Sequence, residues 1–230
     1  METFADYILS EEDWIKKMEI MYYLKQKTGI FYDKSVVFKT FLAKLFLENT
    51  DLGLDKNTVL TACLIFNWKK NETPQELGKV QSYAKEGAEY LSKLGVSRRF
   101  CKICEGVNRY SGSLPREKES DVLELVDQFG GMLLDRPERI AFQVDEALVL
   151  LEYRNLKNKN NRYLQNFKQF VNEMQEVLVC NQNVIQIGAK KINESNDTKE
   201  SMQAMYILQK AIEAIERESK DIKKMMTISA

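Results

Sequence analysis

The sequence predicts an all-α protein, a helical bundle followed by a C-terminal helical extension. Glycine and proline are scarce, with 10 and 3 residues among 230, so little in the chain interrupts a helix. Apolar residues recur at spacings of three and four, and no stretch alternates apolar and polar residues as a half-buried strand does. A hydrophobic share of 44% provides a core, and 30% charged residues suits a soluble protein.

The first three predicted helices begin at polar capping residues. Ser10 opens the first, with Asp13 at the capping-box position. Asp33 caps the second, whose apolar residues repeat at three and four. Asp55 caps the third, Lys56 to about Lys70, which is apolar on nearly all sides in VLTACLIF and is therefore expected to be buried.

Four further helices are predicted in the middle of the chain. The first runs near Val80–Leu94 and ends at Gly95, and the second runs from Ser97 to about Tyr110. A loop, SGSLPREKES, leads to a helix that begins at Glu119. Asp145–Arg154 forms the last of the four.

A polar stretch, NLKNKNNR at Asn155–Arg162, predicts a domain boundary. It divides the chain into an N-terminal helical segment (1–32), a central helical domain (33–155) and a C-terminal helical extension (156–230). The extension holds two long predicted helices, Tyr163–Lys191 and about Lys199–Met226.

The last predicted helix carries an apolar stripe with alternating steps of three and four: Met205, Leu208, Ile212, Ile215, Ser219, Ile222 and Met226. A heptad pattern of this kind either packs on its own domain or forms a coiled coil with a second copy. Both interpretations stay open here. The C-terminal helices are therefore expected to contact a protein partner or to form a homodimer.

Composition excludes several kinds of site. The chain has no histidine, so imidazole cannot act as a metal ligand or general base. This excludes Ser-His-Asp and Cys-His catalysis and most catalytic zinc sites. Lys+Arg and Asp+Glu both number 34, so no nucleic-acid polymer is expected to bind. No apolar run spans a membrane, the acidic start METFADYILSEED is no signal peptide, and the cysteines form no secreted disulfide framework. We expect a cytoplasmic protein.

The stretch ESDVLELVDQFGGMLLDRPER, Glu119 to Arg139, has the features of a site wall. Asp127 lies within an apolar helical stripe, where a carboxylate needs a partner because burying it alone is unfavourable. The glycine pair at 130–131 predicts an interruption of the helix, by a bend or by close packing. The Asp-Arg-Pro sequence at 135–137 predicts the end of the segment.

Residues from about Lys34 to Leu150 resemble the HD superfamily of metal-dependent phosphohydrolases, and within it the HD-GYP type. The match is best in LELVDQFGGMLLDRPER, which keeps Asp127, the spacer and the Asp-Arg-Pro-x-Arg ending, and AFQVDEALVLL resembles the family's next helix. TACLIFNWKK, YAKEGAEYLSKLG and VNRYSGSLP fall on the family's His-Asp helix, its next ligand helix and its signature loop. The resemblance implies an HD-type helical bundle.

The same resemblance puts other residues where the family has metal ligands. The replaced positions are Lys34, Phe66, Asn67, Tyr83, Gly106 and Val107, and Gly-Tyr-Pro becomes Ser-Leu-Pro. Only Asp127 survives as a possible ligand. One carboxylate cannot offset the charge of two or three cations, so neither a metal nor another cofactor is expected. Lys34 is instead expected to form an ion pair with Asp127.

The resemblance therefore implies a pseudoenzyme with no catalytic residues, which acts in regulation, signalling or scaffolding through protein or nucleotide binding. The alternative is a phosphodiesterase for cyclic dinucleotides of the cyclic di-GMP type, with a rearranged metal site. A third possibility is that cyclic di-GMP is sensed without turnover.

Two smaller features leave alternatives open. Lys70 and Arg109 are candidate phosphate or ligand contacts, although a lysine at Lys70 also suits a solvated helix end. The Cys-Lys-Ile-Cys sequence at 101–104 places two thiols on one helix face. We expect two small buried residues there rather than a redox or metal site, because no second pair or histidine completes one.

Overall fold

The computed structural model describes residues 4–28, 35–70, 83–107, 116–135, 139–158, 161–178, 190–192, 194, 195, 197, 199–210 and 217. These residues are mostly helical with essentially no strand, which confirms the predicted all-α class. The helices are α1 (Phe4–Ser10), α2 (Trp14–Thr28), α3 (Ser35–Asn49), α4 (Lys56–Ile65), α5 (Tyr83–Lys93), α6 (Arg98–Glu105), α7 (Lys118–Met132), α8 (Val144–Asn158) and α9 (Leu164–Leu178). Residues 199–210 form a further helix, called the 199–210 helix below.

The N-terminus differs from the prediction. Ser10 ends α1 and does not open a helix, because its hydroxyl donates to the carbonyl of Tyr7 at 2.8 Å. Asp13 caps α2 instead, since its carboxylate accepts from the amides of Ile15 at 2.9 Å and Lys16 at 3.4 Å.

Other predicted helix ends are confirmed. Asp55 caps α4 by accepting from the backbone amides of Asn57 and Thr58, and Ser97 caps α6. Gly95 follows α5 with a φ of 83°, the left-handed conformation that glycine adopts at helix ends.

Two helices end earlier than predicted, α4 at Ile65 and α6 at Glu105. The predicted cap Asp33 lies outside the described residues.

The core is built around α3, which contacts both α4 and α7. The side chains of Phe41, Phe46, Leu60 and Phe129 from these three helices are at most 2% exposed. Burying each such side chain contributes roughly 1.5–3 kcal/mol relative to leaving it in water. The apolar centre VLTACLIF is buried, as its lack of a polar face predicts.

Both ends of the described chain pack onto this same core. Ile8, Met18 and Met21 join it from α1 and α2, and Met205 and Leu208 join it from the 199–210 helix. The start of the heptad stripe therefore packs on its own molecule, as one of the two interpretations predicted. The rest of the stripe lies outside the described residues.

The polar stretch after α8 is partly buried. The helix α8 continues to Asn158, beyond the predicted end at Arg154. Asn161 is 3% exposed and its side-chain amide donates to the carbonyl of Asp121 at 2.7 Å, so this stretch is tied to α7. No helix in the described ranges is long and apolar enough to cross a bilayer.

Candidate functional site

The carboxylate of Asp127 on α7 forms an ion pair with Lys39 on α3. The Nζ of Lys39 lies 2.6 Å from Oδ1 of Asp127, and the two side chains are 3% and 22% exposed. The sequence predicts a lysine partner, Lys34, which lies outside the described residues, and the lysine that the structure places beside Asp127 is Lys39. Lys39 makes the pair because it lies on a buried stretch of α3 that faces α7.

The glycine pair permits this contact and does not interrupt the helix. The helix α7 continues through both glycines to Met132, so the predicted interruption is wrong. A Cβ atom at Gly130 would lie 3.0 Å from Cγ of Lys39 and 3.6 Å from Cδ1 of Phe38. The missing side chain therefore makes room for the buried stem of Lys39, which confirms the close packing that the pair indicates.

Cys63 on α4 lies near the ion pair. Burial raises the pKa of its thiol above the ordinary value, the negative charge of Asp127 raises that pKa further, and the charge of Lys39 lowers it. A buried protonated thiol is a weak ligand and a poor nucleophile. Cys63 therefore fills space beside the pair and adds no reactive group.

Phe66 and Asn67, which the resemblance aligns with the family's His-Asp pair, directly follow α4. Phe66 and Asn67 are 2% and 1% exposed, and the ring of Phe66 lies 6.2 Å from that of Tyr83 at the start of α5. Within the described part of the chain, neither polar atom of the Asn67 side chain has a hydrogen-bond partner. A Cβ atom at Gly87 would lie 2.9 Å from the carbonyl oxygen of Phe66, so α5 approaches the end of α4 closely.

The two positions before the signature loop are buried and cannot act as ligands through their side chains. Gly106 ends α6, and Val107 is 5% exposed. The carbonyl of Gly106 accepts from the guanidinium of Arg116 at 2.5 Å. Arg109 and the rest of the loop lie outside the described residues.

The lysines at the end of α4 lie against tyrosine rings. The Nζ of Lys69 is 4.5 Å from the ring centre of Tyr90, and that of Lys70 is 5.8 Å from the ring centre of Tyr83. Cation–π contacts of this kind stabilise a helix end without any bound anion. A phosphate contact at Lys70 stays a prediction.

The end of the site segment has a structural role. The guanidinium of Arg139 donates to the carbonyls of Gly131 at 2.7 Å and Met132 at 3.3 Å, and so caps the C-terminus of α7. The carboxylate of Asp135 accepts from the amide of Ala141 at 2.7 Å. These contacts fix the turn between α7 and α8.

A buried network of charges in the first half of α7 was missed. Arg116 is 10% exposed, and its guanidinium lies 2.9 Å from Asp121 and 3.2 Å from Glu124, which are 4% and 3% exposed. Arg162 lies 2.7 Å from Asp121, and the Asn161 amide donates to Glu124 at 3.0 Å. In the sequence, this network is indicated only by the acidic residues that lie between apolar ones in ESDVLELV. The network ties α6, α7 and the start of α9 together.

Lys17 on α2 was also missed. It is fully buried, and its Nζ donates to the carbonyl of Ile8 at 2.5 Å and to the hydroxyl of Thr61 at 2.9 Å. Burial lowers the pKa of Lys17 to about 8, while Glu11 and Asp55 act to raise it. The side chain of Asn57 donates to the neighbouring carbonyl of Leu9, so two side chains hold the end of α1.

The two cysteines of the Cys-Lys-Ile-Cys sequence are buried, as predicted. Cys101 is 8% exposed and its thiol donates to the carbonyl of Val96 at 3.7 Å, whereas Cys104 is fully buried. Burial raises the pKa of both thiols. Thiols that stay protonated are weak metal ligands and slow nucleophiles.

These side chains do not fit a metal centre of the kind that the family resemblance implies. The one retained carboxylate is paired with an ammonium group, and a phenylalanine lies where a histidine would be expected. In the ranges that the structure describes, no group of three or more Cys, Asp or Glu side chains could hold a metal ion. Comparison with protein-family models, with curated proteins and with solved structures finds no match.

Proposed function

We propose that this chain is a non-catalytic regulatory or scaffolding protein, built on a degenerate HD-GYP-like bundle, which works through protein contacts or through a nucleotide held without turnover. The ion pair between Lys39 and Asp127 carries the proposal. In the HD-GYP-like arrangement that we propose, this pair supplies a positive side chain to Asp127, the one carboxylate that the resemblance keeps as a possible metal ligand.

The ammonium group of Lys39 opposes metal binding at Asp127. A divalent ion about 4 Å from a lysine ammonium is repelled by about 8 kcal/mol at an effective dielectric constant of 20. Asp127 alone has to offset that repulsion, and its nearer oxygen already lies 2.6 Å from Lys39 Nζ. A metal could bind only after Lys39 left a position in which its side chain is 3% exposed.

Metal analysis and a hydrolysis assay on the purified chain test the proposal. We expect no stoichiometric Mn²⁺, Fe²⁺ or Mg²⁺ and no hydrolysis of cyclic di-GMP when these ions are added. The Lys39→Ala variant is the control, because it removes the competing ammonium and keeps Asp127. Stoichiometric metal in the wild-type chain together with turnover would establish the alternative, a phosphodiesterase with a rearranged site.

Calorimetric titration with cyclic di-GMP separates the two non-catalytic modes. Heat with a measurable dissociation constant and no hydrolysis supports nucleotide sensing. The absence of heat at high nucleotide concentration leaves protein contacts as the mode of action.

A further inference from the structure

A cleft of about 530 Å³ separates α2 from the 199–210 helix. One wall is formed by Ile15, Glu19 and Tyr22 of α2, and the other includes Lys199, Met202 and Tyr206. On each wall the residues follow spacings of three and four, so each wall is one continuous helix face. We call this cleft the terminal groove.

Large apolar side chains are exposed on the two helices that border the terminal groove. Tyr206 and Ile207 are 48% and 63% exposed, and Tyr23 of α2 is 60% exposed. The neighbouring residues Met205 and Leu208 point into the core and are at most 2% exposed. The exposed face of the 199–210 helix is therefore distinct from the start of the heptad stripe. Clustered exposed apolar residues of this kind mark interaction surfaces.

The two walls carry opposite charges. Glu19 on α2 and Lys199 on the 199–210 helix are both exposed. Neither side chain forms an ion pair within the described part of the chain. The terminal groove thus presents one unpaired acid and one unpaired base on opposite sides of an apolar floor.

We propose that the two helices that border the terminal groove form an interface with the same two helices of a second copy of this chain, related by a twofold axis. A twofold interface is reciprocal, so a contact between residues i and j forms twice. With α2 of one copy against the 199–210 helix of the other, Glu19 of each copy faces Lys199 of the other. Tyr206 of both copies is then removed from water.

Opposite charges on the two walls favour this occupant, because the groove complements itself. An anionic ligand would meet Glu19, and a cationic ligand would meet Lys199. The inference rests on the proposed function in one respect, that the chain works through protein contacts. The two can fail separately, since a metal-free inactive chain could be a monomer and an active enzyme could be a dimer.

Sedimentation velocity of the full chain over a wide concentration range tests the dimer. We expect a reversible dimer that weakens with added salt. The variants Glu19→Lys and Lys199→Glu should each raise the dissociation constant by about tenfold or more, since each creates two like-charge contacts. The double variant Glu19→Lys/Lys199→Glu restores both pairs with reversed sign, and its dissociation constant should return to near the wild-type value.

Two further variants separate the groove from general surface effects. Tyr206→Ser should weaken the dimer, because Tyr206 lines the groove, whereas Ile140→Ser should not, because Ile140 is 85% exposed but does not line the groove. Thermal melts at concentrations at which every form is monomeric should be unchanged in all four single variants, since dimerisation itself stabilises the folded chain. A monomer at every concentration overturns the inference and leaves the groove to a different partner. The inference is also overturned if the single charge reversals leave the dissociation constant unchanged, or if the double reversal does not return it to near the wild-type value.

Discussion

Lys39 and Asp127 join two helices that are distant in the sequence, with Nζ and Oδ1 2.6 Å apart and the lysine side chain 3% exposed. A carboxylate in an apolar helix needs a group that neutralises its charge, and Lys39 is that group for Asp127. In the proposed function, the ammonium group of Lys39 takes the place of a bound cation.

Close packing of α5 against the end of α4 predicts the effect of Gly87→Ala. Because the added Cβ would lie 2.9 Å from a backbone carbonyl oxygen, the helices must move apart, and we expect a loss of about 1–3 kcal/mol in the free energy of unfolding. Urea denaturation measures it. Ser92→Ala on the exposed side of the same helix is the control and should change stability little. A gain in stability for Gly87→Ala, as alanine's helix propensity alone would give, would contradict the packing.

The buried network around Arg116 predicts a large loss for Arg116→Met. The change removes the Arg116 guanidinium from two buried carboxylates, Asp121 and Glu124, so we expect about 3–5 kcal/mol of destabilisation. Lys190→Ala is the matched control, because the Lys190–Glu194 pair is more than half exposed on both sides. Its loss should stay below about 0.5 kcal/mol. Equal losses in the two variants would show that burial of the network is unimportant.

Lys17 predicts a pH dependence with a definite sign. Its pKa is about 8 in the folded chain and 10.5 at its ordinary value, so the unfolded chain binds more protons between these pH values. The contribution of Lys17 to stability therefore rises as the pH increases from about 8 to about 10.5. The rise is at most about 3.5 kcal/mol, since one pKa unit corresponds to about 1.4 kcal/mol.

The difference between the wild-type chain and Lys17→Met isolates this group from others that titrate in the same range. We expect the wild-type free energy of unfolding to increase relative to that of the variant across the window. A difference that stays constant from pH 7 to pH 11 would show that Lys17 keeps an ordinary pKa.

The sequence was sufficient for the fold class and for several helix ends. Asp55, Ser97 and Gly95 have local chemistry that a single sequence displays, because caps depend on residues close in the chain. The prediction that Ser10 opens a helix was wrong because Ser10 ends α1. A serine hydroxyl can bond to the backbone at the start or at the end of a helix, and here it bonds to the end of α1.

Contacts between distant residues were harder to predict. The type of partner for Asp127 followed from its charge, but which lysine of α3 reaches it depends on how α3 is rotated against α7. Arg116 lies in a predicted loop, and nothing local shows that its guanidinium enters a network with α7. Lys17 lies beside apolar residues, and its acceptor Thr61 is far away in the chain.

A double-mutant cycle on Lys39 and Asp127 tests the central claim most directly. The free energy of unfolding is measured for the wild type, Lys39→Met, Asp127→Asn and the double variant. We predict that each single change destabilises by about 1–3 kcal/mol, and that the double variant is more stable than the sum of the two losses implies, by about 1 kcal/mol or more. Additive losses, or a Lys39→Met variant as stable as the wild type, would contradict the claim that Lys39 is the cation that Asp127 requires.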